Sequence, residues 1–239
     1  MQLTPLAVYL SKRFGLGKQA VSIKPIGNGL INCTLLLTSA NTSLVVQKLN
    51  TKVFPEPELL VKNARLIEQH LTLKQQANEY DLSIIRHVAT VENDYLVNAE
   101  QGVWRALEFI GNSYSEDVVG NSQQAHIAAG AFGQFARALA DFDAEQLHPV
   151  IANFHNLAMR AEVFKTVLAT ASQQRLASCQ AEVAFCLSQF TLIDELNAVT
   201  AVLPVRPCHN DTKINNMLFC KQTHKAKAVI DLDTCMPGF

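Results

Sequence analysis

The sequence predicts an α+β fold in two parts, a small antiparallel sheet carrying one helix and then a largely helical half. Three observations carry that expectation. Residues 21–50 alternate in polarity and are cut by turn residues. Residues 123–199 hold long helical patterns without strand signals. Between them lies the polar, glycine-containing stretch "GNSYSED", Gly111 to Asp117, which marks a hinge. The expected parts are residues 1–111 and 112–239.

The N-terminal "MQLTPLAVYLSKRFG" has polar residues too early and too often for a signal peptide. "VSIKPIGNGLINCTLLLTSANTSLVVQKLN", from Val21, reads as three strands turning at "GNG" and "SANTS". "PEPELLVKNARLIEQHL" follows, with proline near its start and a nearly 3.6-residue apolar period through Leu59, Leu60, Val61, Leu66, Ile67 and Leu71. It predicts an amphipathic helix lying on the sheet. "NDYLVNAEQGVWRALEFI" predicts a hairpin turning at Ala99 to Gly102. Beyond the hinge, "QQAHIAAGAFGQFARALADF", "LAMRAEVFKTVLATASQQRL" and "ASCQAEVAFCLSQFTLIDELNAV" predict long helices. Phe132, Phe135, Phe142, Phe185 and Phe190 recur at helical spacing as core candidates. "NMLF" and "AKAVI" close the chain as a hairpin.

Composition narrows the classes. With 49% hydrophobic and 17% charged residues over 239 positions, the chain is globular rather than disordered. A net charge of -1 with no basic tract points to no nucleic acid and no anionic membrane as partner. No apolar run approaches the ~20 residues of a membrane span. Six cysteines form no CxxC pair, so reduced thiols and a cytoplasmic home are expected, with Cys179 and Cys186 packing as small apolar residues. Oligomeric state is not legible.

The chemistry concentrates in "HNDTKINNMLF", His209 to Phe219. His209-x-Asp211 followed by Asn216 has the spacing of a phosphoryl-transfer catalytic loop. Asp211 would orient and deprotonate a substrate hydroxyl, and Asn216 would offer its amide oxygen to Mg²⁺. Lys213 would neutralise charge on the phosphoryl group in flight. Chance alone matches this spacing in roughly 1 of 100 chains of this length. Asp231, in "AVIDLDT", adds the second acid that the metal requires. Sheet, helix, hinge and a helical half carrying this loop are the element order of a bilobal kinase, so the first part is expected to hold ATP. Gly27, Asn28, Gly29 and Asn32 form a turn whose glycines allow backbone close to phosphates. Lys48 ends the third strand, where a kinase places its phosphate-pairing lysine. Glu68, deeper in the helix than Glu58, is the preferred partner acid for Lys48.

"GNGLIN-T", "LVVQKLNTKVFPEPELL", "VWRALEFIGNSYSED", "FHNLAMR", "RPCHNDTKINNMLF" and "AVIDLDTCMPG" together resemble the N-acetylhexosamine 1-kinase branch of the aminoglycoside phosphotransferase and choline kinase superfamily. The match runs from about Ile26 to Gly238. It implies a bilobal protein-kinase-like fold with ATP and Mg²⁺ between the lobes, phosphorylating the anomeric hydroxyl of N-acetylglucosamine or N-acetylgalactosamine. The resemblance makes Asp211 the base and Asn216 and Asp231 the metal ligands, and sets adenine against Glu108 to Ile110. His155 and Arg160 are weaker candidates for the sugar.

Two departures accompany it. Leu30 stands where the family carries a histidine that helps hold the sugar, and it cannot donate a hydrogen bond. Resembling enzymes also continue well past "MPG", so the C-terminal part of the helical lobe is expected to be missing from this chain. "CMPGF" lacks the arginine of a sulfatase box, which weighs against that class. The alternatives are a kinase of an amino alcohol or aminoglycoside, and an inactive nucleotide-binding module.

Overall fold

The computed structural model describes residues 3–17, 22–40, 42–99 and 101–239. They form two compact units, the first joining 1–150 to 206–238 and the second holding 151–205 with Phe239. This grouping runs along a different line from the boundary expected at residue 111, because the catalytic-loop segment and residues 112–150 pack with the sheet.

Helix α1, Leu3–Arg13, opens the first unit. It was not foreseen, although Leu6, Ala7, Leu10 and Phe14 repeat at helical spacing and are buried. Strands β1 (Ser22–Pro25), β2 (Cys33–Ser39) and β3 (Thr42–Lys48) follow as expected; the proposed start at Val21 lies outside the described residues. Helix α2, Pro57–Gln76, begins at a proline, whose fixed φ and missing N–H suit a first helical turn. Short β4 (His87–Val88) and β5 (Val97–Ala99) lead to β6 (Gly102–Glu108). The main sheet runs β1-β2-β3-β6-β4, with β5 also on β6 and every pairing antiparallel.

The two faces of this sheet have different company. Leu35, Leu37, Leu44, Val46, Trp104 and Ala106 pack with the α1 residues in one core. Leu107 belongs to the other core with Ala64, Ile67 and Leu71 of α2. A strand alternates its side chains, so parity along β3 and β6 decides which face each residue meets.

The second core continues into β7 (Ser113–Tyr114) and α3 (Ser122–Ala138), and reaches the strands near the C-terminus. In the second unit the expected long helices are broken. Helix α4 (Leu157–Thr170) stops before Ser172, whose hydroxyl accepts the Arg175 N–H and starts α5 (Gln173–Ala177). Helices α6 (Gln180–Ser188) and α7 (Thr191–Thr200) follow as separate pieces. Phe185 and Cys186 are exposed there, contrary to the core positions expected for them.

Back in the first unit, β8 (Arg206–Cys208), β9 (Met217–Cys220), β10 (Ala226–Val229) and β11 (Met236–Gly238) complete the chain. The hairpin β9-β10 also pairs with β7, and β11 pairs with β8. These two small sheets bracket residues 209–216 and 230–235. Among the described residues no helix is long and apolar enough to cross a membrane.

Candidate active site

The loop between β8 and β9 is stitched to the turn between β10 and β11. The Thr234 hydroxyl donates to the His209 carbonyl at 2.7 Å, and the Asn210 amide donates to the Thr234 carbonyl at 2.9 Å. The Ile230 N–H donates to the Asn216 carbonyl at 2.9 Å. Asn210 (φ 64°) and Asp231 (φ 62°) both adopt the left-handed region, which Asn and Asp tolerate better than other side chains.

His209 is buried against the edges of Phe132 and Phe135. Its Nδ1 accepts the Asp211 N–H at 3.3 Å, which assigns the hydrogen to Nε2, 3.0 Å from the Ile230 carbonyl. Burial pushes its pKa below the usual 6.5, in keeping with a neutral ring. The histidine of the motif therefore shapes the loop from beneath.

The spacing that singled out Asp211, Lys213 and Asn216 becomes direct contact. The Asn216 amide donates to the Asp211 carboxylate at 2.8 Å and to its carbonyl at 2.9 Å. Lys213 Nζ stands 2.7 Å from the same carboxylate, with half of its side chain exposed. Asp231 follows Ile230, so the Ile230–Asn216 backbone bond brings it beside the loop. Its surface reaches solvent, yet crowding strips its carboxyl of water; that loss and the Asp233 carboxylate lift its pKa to about 6. Asn216 and Asp231 offer hard oxygen donors. Among the described residues no three His, Cys, Asp or Glu side chains converge to hold a metal alone. A cation here would be completed by phosphate oxygens and water, a donor set that fits Mg²⁺.

Asp233, to which the sequence assigned no role, organises the other side of the site. It is 3% exposed, faces Arg105 NH2 at 2.6 Å and accepts the Asn32 amide at 2.7 Å. The Asn32 oxygen is taken by the Asn50 N–H at 3.0 Å. Asn32, a candidate for contact with nucleotide, ties the glycine turn to the acidic turn. Arg105 also donates to Gln47 Oε1 from Nε (2.9 Å) and NH2 (2.7 Å), and the Gln47 amide reaches Thr34 at 3.1 Å.

Lys48 and Glu68 are not brought together. Glu68 accepts from the His87 N–H at 3.2 Å and makes a very short contact with His87 Nδ1. Burial keeps His87 below its usual pKa. Lys48 lies opposite Cys33 and Trp104, and its stem runs along Gly102, on the α1 side of the sheet. The expected Lys48–Glu68 pair is thus corrected by parity, since Gln47 and not Lys48 occupies the face turned to Asp233. "SLVVQK" is apolar on both faces and hides that parity.

Gly27 has a φ of 67°, where its missing Cβ avoids strain. Asn28 donates to Asp117 at 2.6 Å, while Gly29 and the 96%-exposed Leu30 form the open tip. Glu108 donates its N–H to the Arg86 carbonyl at 2.9 Å, and the Ile110 carbonyl accepts the Ser113 hydroxyl, which fixes the linker. His155 and Arg160 are exposed residues of the second unit, on either side of the Asn156 cap and the first turn of α4.

A family model described as the phosphotransferase enzyme family matches residues 22–239. Among solved structures, the chain is similar to a spectinomycin phosphotransferase in complex with ADP and spectinomycin. The identity is 14% and the TM-score 0.63, covering 98% of this chain and 69% of that one. It is also similar to an aminoglycoside phosphotransferase from Alicyclobacillus acidocaldarius, at 19% identity and TM-score 0.59, with 98% and 67% covered. A choline kinase from Streptococcus pneumoniae matches at 14% identity and TM-score 0.54, with 99% and 70% covered. These likenesses are of fold, a protein-kinase-like α+β architecture, and the chain spans about two thirds of their length.

Proposed function

The chain belongs to the phosphotransferase enzyme family, and from that premise we propose that it is a small-molecule kinase. It binds Mg·ATP against the 209–216 loop and the Asp231 turn and transfers the γ-phosphoryl group to a hydroxyl. The observation that carries this reading is the Asn216 amide held on the Asp211 carboxylate at 2.8 Å. One contact orients the base toward an acceptor and leaves the amide oxygen available to a cation.

Asp211 accepts the hydrogen of the acceptor hydroxyl and aims its oxygen at phosphorus, a role worth on the order of 10²- to 10⁴-fold in rate. Lys213, half exposed beside Asp211, neutralises charge on the phosphoryl oxygens. Asn216 and Asp231 would hold Mg²⁺, which would offset the negative charge of the transferring phosphoryl group. The linker backbone at Glu108 to Ile110 receives the adenine. Relatives captured with ADP and with AMP support nucleotide binding.

The acceptor is an N-acetylhexosamine, on the strength of the motifs that join "HNDTK-NN-LF" to "IDLDT-MPG". Neighbours named for spectinomycin and choline share the fold, which makes an aminoglycoside or amino alcohol the second reading. ADP release should be measured over a panel of N-acetylhexosamines, amino alcohols and aminoglycosides, for this chain and a version extended at its C-terminus. Turnover confined to N-acetylhexosamines is the expected result. Turnover confined to amino alcohols or aminoglycosides would overturn the sugar reading, and no nucleotide binding by either protein would overturn the kinase reading.

A further inference from the structure

Resting on the kinase reading, we infer that Arg105 of β6, and not Lys48 of β3, is the positioning cation of the nucleotide-phosphate site. Three observations lead there. The first is parity: Gln47 pairs in register with Arg105 and Lys48 with Trp104, so the lysine shares the face of the α1 core. A lysine there would have to cross the sheet to meet Asp233.

The second is connectivity. Arg105 is 2% exposed and binds two partners at once, Gln47 on the neighbouring strand and Asp233 on the acidic turn. Asp233 in turn holds Asn32 at the end of the glycine turn. One guanidinium therefore links the sheet, the glycine turn and the segment carrying Asp231. Its Nε and NH2 converge on the Gln47 oxygen while its charge rests against Asp233 as an ion pair, an arrangement a lysine ammonium reproduces less well.

The third is energetic. A buried ion pair adds little net stability over well-packed apolar residues, because desolvation offsets the attraction. What such a pair supplies is a fixed charge in a fixed place. Asp211, Asp231, Asp233 and Glu68 crowd this region, and among the described residues Lys213, at the mouth, pairs with Asp211 while Arg105, at the floor, pairs with Asp233. Incoming phosphates add further negative charge, so a preorganised cation is required. Arg105 meets that need by holding Asp233 neutralised and the two turns in register.

Calorimetric titration of Mg·ATP, together with melting curves, tests this on four proteins: the parent, Lys48→Ala, Arg105→Lys, and Arg105→Gln combined with Asp233→Asn. The combined variant leaves no unpaired buried charge. It is expected to melt cooperatively yet bind Mg·ATP about ten-fold or more weakly, the scale of a lost charge-assisted contact. Arg105→Lys should fall between it and the parent, and Lys48→Ala should bind within about two-fold of the parent, as for a charge on the far face of the sheet. A folded combined variant that binds like the parent overturns the inference. If that variant does not fold, the single variants decide: Arg105→Lys weakened with Lys48→Ala unchanged supports it, and the reverse order overturns it. A parent that binds no Mg·ATP overturns the kinase reading itself, a result distinct from a binding parent with the wrong order of variants.

Discussion

Asn216 donates its side-chain amide to the Asp211 carboxylate across 2.8 Å, so these two residues of the loop act as one unit. Asp211 gains a fixed orientation from that bond, and Asn216 gains a fixed direction for its oxygen.

Asp211→Asn is expected to lower phosphoryl transfer on the order of 10²- to 10⁴-fold while leaving Mg·ATP binding nearly intact, because the base acts on the acceptor. Steady-state turnover alongside nucleotide titration checks this. Wild-type turnover in the variant would remove Asp211 from its role.

Asn216→Ala should do two things at once, since it deletes a metal oxygen and releases Asp211. Raised Mg²⁺ should restore nucleotide affinity in part and turnover less. Asp231→Ala should weaken Mg·ATP binding without that second effect. In the parent, affinity should decline as pH falls through about 6, where Asp231 takes up a proton. Titrations at several pH values and Mg²⁺ concentrations would show the pattern; variants that titrate like the parent would place the metal elsewhere.

His209 gives a stability prediction. Burial holds its folded pKa below the usual 6.5, so the unfolded chain binds more protons as pH drops beneath that value. Its contribution is present above about 6.5 and is lost as pH falls toward the folded pKa. Protonation of Nδ1 would also remove the acceptor for the Asp211 N–H. In melting temperature against pH, the parent should lose more stability than His209→Gln as pH falls below about 6.5, since the opposing contribution of Asp231 and the like one of buried His87 are common to both proteins.

Asn63, buried in α2, donates to the His148 and Cys235 carbonyls and accepts the His148 N–H. Asn63→Leu would leave those backbone groups unpaired and is expected to cost about 1–3 kcal/mol per lost buried partner. Denaturant unfolding measures it, and a variant as stable as the parent would show that the amide is dispensable.

The sequence by itself determined the features whose physics is local. The antiparallel run through β3, the proline-led start of α2 and the hairpin at Ala99 to Gly102 follow from turn residues and period. The His209, Asp211 and Asn216 spacing belongs to a single loop, so the contact of Asn216 with Asp211 follows from residues close in the chain. Helix α1 was legible too, in the spacing of Leu6, Leu10 and Phe14, although the polar residues between them mask that period. Tertiary structure alone decided which cation meets which acid. "SLVVQK" presents apolar residues to both faces of the sheet, so nothing within it says whether Gln47 or Lys48 turns toward the site. The choice came from β6, where Trp104 fills the α1 core and sends Arg105 to the opposite face. There it meets Asp233, a residue with no local signal of its own, because a buried acid is defined by the partner that neutralises it and that partner lies on a distant strand.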